Sequence, residues 1–181
     1  MMNNKNEVLT EIKNSLPNKH IFVIAGPQNS GKTSLVREVY YKLIAKDFAI
    51  DTSFKSSNNS DPSKKQDFTT VIKHPESELT IGIASEGKKI LPTYNAIKEL
   101  MDAEVDLIIC ACRSKYSKAI NAITELSYYL FAHDLDEKET THSNPYNPIW
   151  FKMTRGEELD KTLLEEKLKS YADQVITHLH L

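Results

Sequence analysis

The octapeptide Gly26-Pro27-Gln28-Asn29-Ser30-Gly31-Lys32-Thr33 constrains this chain more than any other stretch. Its two glycines, lysine and hydroxyl stand at the fixed spacing G-x-x-x-x-G-K-[ST]. The chain of 181 residues has only five glycines, and two of them fall where the pattern requires them. The apolar run Ile21-Phe22-Val23-Ile24-Ala25 precedes the octapeptide as a buried strand would. Residues 33–45 follow with helical spacing at Leu35, Val36, Val39, Tyr40, Leu43 and Ile44. Strand, loop and helix therefore follow one another in the order that gives this spacing meaning.

A loop in that setting turns successive backbone N–H groups inward, making a concave anion nest. The helix beginning near Gly31 adds unsatisfied N–H donors and a partial positive charge. Gly26 and Gly31 allow dihedrals and a close backbone approach that a Cβ would block. Lys32 is long enough to reach phosphate oxygens, and the Thr33 hydroxyl is a hard ligand suited to Mg²⁺. Pro27, Gln28, Asn29 and Ser30 contribute the backbone of the nest. Ser34 either assists at the phosphates or is a solvated first-turn serine.

A chain of this length suits a single domain over residues 1–181, with about five strands flanked by helices. Apolar residues make up 40% and charged residues 27%, as in an ordinary soluble domain. The net charge of −2 and pI of 6.3 argue against a nucleic-acid partner gripped by a broad basic surface. No apolar run approaches the length of a membrane span, and the first residues have no apolar signal core. Cys110 and Cys112 alternate in a strand-like segment, so they are expected to pack inside rather than bridge or bind metal. His178-x-His180 reads as a terminal helix rather than a metal pair. A reducing cytoplasm is the simplest compartment.

Residues 7–16 read as a short helix stopped by Pro17, followed by a strand over 20–25 and a helix over 32–46. Residues 51–65 are polar and aperiodic. Strands over 67–73 and 79–84, joined across five turn-rich residues, predict a hairpin. A helix over 92–101 turns Ile97 and Leu100 inward, and residues 105–112 form a strand buried on both faces. Helical spacing returns over 117–131, a second polar stretch covers 134–147, and a last strand spans 148–153. Thr154-Arg155-Gly156-Glu157 has capping-box spacing and opens a helix with Leu159, Leu163, Leu164, Leu168, Tyr171, Ala172, Val175 and Leu179 on its packed side. This alternation predicts an α/β fold: a three-layer α/β/α sandwich on a mostly parallel sheet of about five strands.

The strand–GPQNSGKT–helix segment resembles the P-loop nucleoside triphosphatase superfamily, where this octapeptide is the Walker A motif. The resemblance is specific around residues 20–45 and implies a nucleoside-triphosphate–Mg²⁺ site on Gly26 to Thr33. The hairpin and the ending Ala84-Ser85-Glu86-Gly87 also resemble the switch region of regulatory GTPases. There the strand ends in D-x-x-G, whose Asp holds Mg²⁺ through water; here Ala84 takes that place. A guanine-reading N/T-K-x-D segment is missing too, since Asn4-Lys5-Asn6-Glu7 precedes the first strand and ends in the wrong acid. ATP is therefore the expected nucleotide. Residues 81–87 and 106–113 are similar to short bacterial P-loop proteins that carry no assigned activity.

Hydrolysis or transfer also needs an acid near the metal or nucleophile, at the edge where neighbouring strands end. Glu86 directly follows an apolar strand and is the leading candidate, either orienting water or supporting the Mg²⁺ shell. Otherwise it is a solvated turn residue and Ser85 is the outer partner of the metal. Asp51 is the rival acid: it follows the octapeptide's helix, where P-loop kinases place an acceptor for a substrate proton. In that reading residues 51–66 close over a substrate and residues 134–147 form a lid. Arg113 ends strand 105–112 at the ligand edge, with Lys115 and Lys118 near it in sequence, and would steady transferred phosphoryl charge. Lys88-Lys89 reads as a solvated pair.

Three functions stay open on the sequence. One is a Mg-dependent ATPase coupling hydrolysis to a change in residues 84–90 and to a protein partner. The second is a small-molecule or nucleotide kinase, and the third a non-catalytic nucleotide-binding regulatory module. Tyr128-Tyr129 is a candidate interface patch.

Overall fold

A strand with no polar side chain to show to water must be covered on both faces, and residues 21–25 are such a run. The computed structural model describes residues 19–113, 146–153, 161–179 and 181. In it this run is the interior of β1 (Lys19–Gly26), flanked in parallel by β5 (Leu107–Arg113) and β6 (Tyr146–Lys152). Side chains alternate across the sheet as the strand period of two requires. Phe22 and Ile24 enter one core with Leu35, Val36, Val39 and Leu43 of α1 (Lys32–Ile44) and Ala172, Val175 and Ile176 of α3 (Lys161–His178). Ile21, Val23 and Ala25 enter the other, with Ala96, Ile97, Leu100 and Met101 of α2 (Ile90–Asp102). Helices thus cover both faces of the sheet.

The remaining strands are β2 (Ala49–Ile50), β3 (Thr69–Lys73) and β4 (Thr80–Ala84). Among the described residues six strands run in the order β2-β3-β4-β5-β1-β6. The expectation of a mostly parallel sheet of about five strands needs correcting: the sheet is mixed, with β2–β3 and β3–β4 antiparallel. The cause is chain length between strands. The turn from His74 to Leu79 can close a hairpin but cannot span the crossover a parallel pair needs. Glu78 takes φ 57° there, and its N–H donates to the His74 carbonyl at 2.9 Å. The expected hairpin is present, with Thr69 opposite Ala84.

Other expectations meet the structure unevenly. Ile97, Leu100, Cys110 and Cys112 are all fully buried, and both thiols are free. Early in α3 the expected packing fails: Leu163 is 48% and Leu164 43% exposed. The helix meets α1 mainly through its second half, where Lys42 also pairs with Asp173 at 2.6 Å. Among the described residues no helix is long and apolar enough to cross a membrane. The helices expected over 7–16 and 117–131, the lid stretch up to residue 145, the Tyr128-Tyr129 patch and the capping box at 154–157 lie outside the described residues.

Candidate functional site

The parallel strands β1, β4, β5 and β6 all end at one edge of the sheet, and the antiparallel β3 begins there. Ligands of open α/β sheets sit at the carboxyl edge of the parallel strands. The loop from Gly26 to Gly31 leaves β1 at this edge and turns into α1. A Cβ on Gly26 would stand 2.7 Å from Ser30 Oγ and 3.0 Å from the Met153 carbonyl, so the start of the loop admits no side chain. Asn29 at φ 59° and Gly31 at φ 86° curl the backbone through the left-handed region. No side chain caps α1, and its first turn carries no acid. Among the described residues its N-terminal amides therefore face the groove without a side-chain acceptor.

The groove beside this helix end has a volume of about 170 Å³ and is lined by Gln28, Asn29, Gly31, Lys32, Thr33 and Ser34. Ser85, Gly87, Lys88, Ala111 and Arg113 complete its wall. Lys32, Lys88 and Arg113 converge there, with no carboxylate among the described residues that line it. Lys32 is almost fully buried and donates to the Pro27 carbonyl and to Ser30 Oγ. Its pKa is lowered, first by burial and then by repulsion from Arg113 and Lys88, against an opposing pull from Cys112. Arg113 is in register with Gly26 across β1 and β5, which settles the strand order: β5, not β4, lies beside β1. One Arg113 nitrogen reaches Gln28 Oε1 at 3.5 Å, while its buried Nε has no hydrogen-bond partner among the described residues. Three cations, a bare helix end and an orphaned guanidinium N–H together make a cup for an anion with several oxygens.

A set of oxygens lies on the far side of Thr33. Its Oγ1 stands 3.2 Å from Asp67 Oδ1 and 3.5 Å from the Ser85 carbonyl. Ser85 Oγ donates to the same Asp67 oxygen at 3.2 Å and accepts the Phe68 N–H at 2.9 Å. Glu86 follows β4 as expected, half-buried, with Oε1 accepting the Lys88 N–H at 2.8 Å. Burial raises its pKa, and a hydrogen bond and repulsion from Asp67 raise it further, against the lowering effect of the Lys88 N–H. Glu86 is thus beside Asp67 rather than on the groove wall. Among the described residues no three His, Cys, Asp or Glu side chains gather into an all-protein metal cage. A Mg²⁺ ion that keeps waters and borrows phosphate oxygens needs only one or two such ligands, and the oxygens around Thr33 fit that demand.

Lys32, Thr33, Ser34 and Arg113 therefore meet at one groove, as the sequence predicts, with Glu86 just behind it. Asp51 does not join them: its Oδ1 accepts from the backbone and hydroxyl of Ser53, and it lies outside the groove lining. Sequence reasoning missed Asp67. The signal was present, because an antiparallel hairpin brings the start of strand 67–73 to the edge where 79–84 ends. Comparisons with protein-family models, curated proteins and solved structures gave no match, so the site is read from its own geometry.

Proposed function

We propose that this chain is a P-loop nucleoside triphosphatase, a three-layer α/β/α domain that binds ATP with Mg²⁺ in the cytoplasm. The observation that carries the reading is the convergence of Lys32, Lys88 and Arg113 on the uncapped start of α1, with no carboxylate among the described residues that line the groove. Mutual repulsion among these cations is relieved only when an anion enters, and a triphosphate brings several charges at once.

Gly26 to Thr33 would wrap the β-phosphate with backbone N–H groups, and Ser34 stands at the same helix end. Lys32 would leave the Pro27 carbonyl for the β- and γ-phosphate oxygens. Arg113 would place its orphaned N–H against charge building on the γ-phosphate. Glu86 would be the acid for orienting the attacking water, since it directly follows β4 at the edge where the groove lies. When bound, Mg²⁺ would neutralise phosphate charge, with Thr33 as its protein anchor.

The test is phosphate release from ATP and from GTP with Mg²⁺, beside nucleotide-binding titrations, for the wild type and Lys32→Ala. ATP turnover that falls about 10²-fold or more in Lys32→Ala is the expected result. Tight binding without release would instead favour the regulatory module, and phosphate appearing on an added acceptor would favour the kinase. A protein that binds neither nucleotide would sink the reading.

A further inference from the structure

The strand that was expected to deliver the metal's acid ends in Ala84, a residue with nothing to offer a cation. The adjoining strand carries an acid at the same edge. Thr69 pairs with Ala84, so Asp67, two residues earlier, lies opposite the segment that leaves β4. We infer that Thr33 and Asp67 together hold the divalent cation that accompanies the nucleotide, with Asp67 on β3's approach taking over the duty missing at Ala84. This inference rests on the nucleotide reading above and adds to it the protein half of the metal site.

Three observations carry it. The first is donor chemistry. Asp67 Oδ1 accepts from Thr33 Oγ1 and from Ser85 Oγ, both at 3.2 Å. A hydroxyl that gives its proton to a carboxylate turns its lone pairs elsewhere, and for Thr33 that direction is the groove it lines. Threonine hydroxyl, carboxylate and backbone carbonyl are all hard oxygens, as Mg²⁺ prefers.

The second is that Asp67 is not a loose surface acid. Arg37 lies one helical turn beyond Thr33 on α1, hence on the same face. Its Nε donates to the Pro62 carbonyl and its Nη2 to the Lys64 and Gln66 carbonyls, each at 2.9 Å. The guanidinium also lies 5.4 Å from the centre of the Phe68 ring. Asn59 Nδ2 adds bonds to the Asp61 carbonyl at 2.9 Å and the Asp67 carbonyl at 3.3 Å. One helix thus supplies the hydroxyl and fixes the backbone that brings the carboxylate to it.

The third is the division of labour between the two acids. Glu86 uses Oε1 on the Lys88 N–H, and the contacts to Thr33 belong to Asp67 and the Ser85 carbonyl. Asp67 is placed for the cation, and Glu86, which contacts Asp67 from behind but not Thr33, is left for the water. Arg37 is then a positioning residue for the metal, acting through the segment it grips.

The experiment compares binding of ADP and of a non-hydrolysable ATP analogue in EDTA, in Mg²⁺ and in Mn²⁺, with Mn²⁺ paramagnetic resonance as a direct readout of the ion. In the wild type the cation should raise affinity for the ATP analogue about tenfold or more. In Asp67→Asn the affinity in EDTA should stay near the wild-type value while that gain and the Mn²⁺ signal are lost. Glu86→Gln should keep the gain. If Asp67→Asn keeps the gain and the Mn²⁺ signal, the assignment is overturned while the nucleotide reading survives. If the wild type binds no nucleotide under any condition, that reading fails first and takes the inference with it. Should Asp67→Asn not fold, Mn²⁺ broadening of wild-type amide signals decides instead: a bound ion that leaves the amides of residues 67 and 68 unbroadened overturns the proposal.

Discussion

At the scale of single residues, the site is fixed by what cannot be added as much as by what is present. A Cβ on Gly87 would stand 2.5 Å from the Ala111 carbonyl and 2.8 Å from Cys112 Cα, both backbone atoms of a central strand. Neither can yield without moving β5, whose Arg113 N–H donates to the Gly87 carbonyl at 3.0 Å. Gly87→Ala should therefore cost about 1–3 kcal/mol and disturb Arg113, checked by urea unfolding and nucleotide titration. Gly82→Ala should cost less, because its new methyl meets side-chain rather than backbone atoms, the methyls and Cγ of the fully buried Leu100 at 2.8–3.1 Å, which can give way only by repacking that core. The two cysteines of the same strand show burial acting on charge. Burial pushes the Cys112 thiol up to about 12, against a smaller pull from Lys32, and Cys110 also goes up. A folded pKa above the unfolded value means the neutral thiol is favoured in the fold. For Cys112 the associated stability is complete below its ordinary value of 9.0 and is lost as pH climbs toward about 12. Native protein should accordingly resist iodoacetamide at pH 8 and react at both thiols once unfolded in urea. Rapid labelling of the native protein would contradict this burial.

At the scale of elements, the strand–loop–helix of residues 19–44 was legible because fixed spacing and apolar periodicity agree there. The hairpin was legible too, since its turn residues are short and polar. β2 was not: two exposed residues carry no period, and only pairing with β3 makes them a strand. Strand order was also hidden, because strands 79–84 and 105–112 are both apolar runs and either could have lain beside β1. Arg37 drew no reading from the sequence, because its partners at Pro62, Lys64 and Gln66 lie far along the chain, in a loop with no spacing to reveal them. That loop is aperiodic because its order comes from polar side chains rather than a buried face. Ser56 and Ser57 bind Glu99 of α2, and Asp61 accepts from Ser63. Asp67 was missed although the hairpin places it at the ligand edge, because what holds its carboxylate there is the loop's ties. Arg37→Ala should speed amide exchange over residues 61–69 about tenfold, matching ~1.4 kcal/mol of local stability, with β4 and β5 amides unchanged. Arg37→Lys should restore little, since one ammonium cannot reproduce a planar fork donating to three carbonyls. Equal exchange in all three proteins would remove Arg37 from its positioning role.

At the scale of the whole molecule, one sheet serves two cores, and β5 shows how tightly they are joined. Ile108 enters the core beneath α2, whereas its neighbour Ile109 enters the core beneath α1 and α3. Both are fully buried, so alanine at either should cost about 2–5 kcal/mol. Because they share a strand paired with both β1 and β4, each loss should lower a single cooperative transition rather than split it. Binding acts on the same equilibrium from the other side. A nucleotide that binds only the folded chain stabilises it by about 2.7 kcal/mol at a hundredfold excess over Kd. For a domain of this size that corresponds to a rise of roughly 5–11 °C in Tm. Ile108 lies in the core beneath α2 and does not line the groove, so Ile108→Ala should start from a lower Tm and gain a comparable increment with Mg²⁺ and ATP analogue. Lys32→Ala should unfold near the wild-type temperature without ligand, yet gain almost nothing from it. The two variants thus separate the core from the groove in one calorimetric series. A full increment in Lys32→Ala would mean that the nucleotide binds elsewhere on the molecule, and the cationic cup at the start of α1 would need another anion.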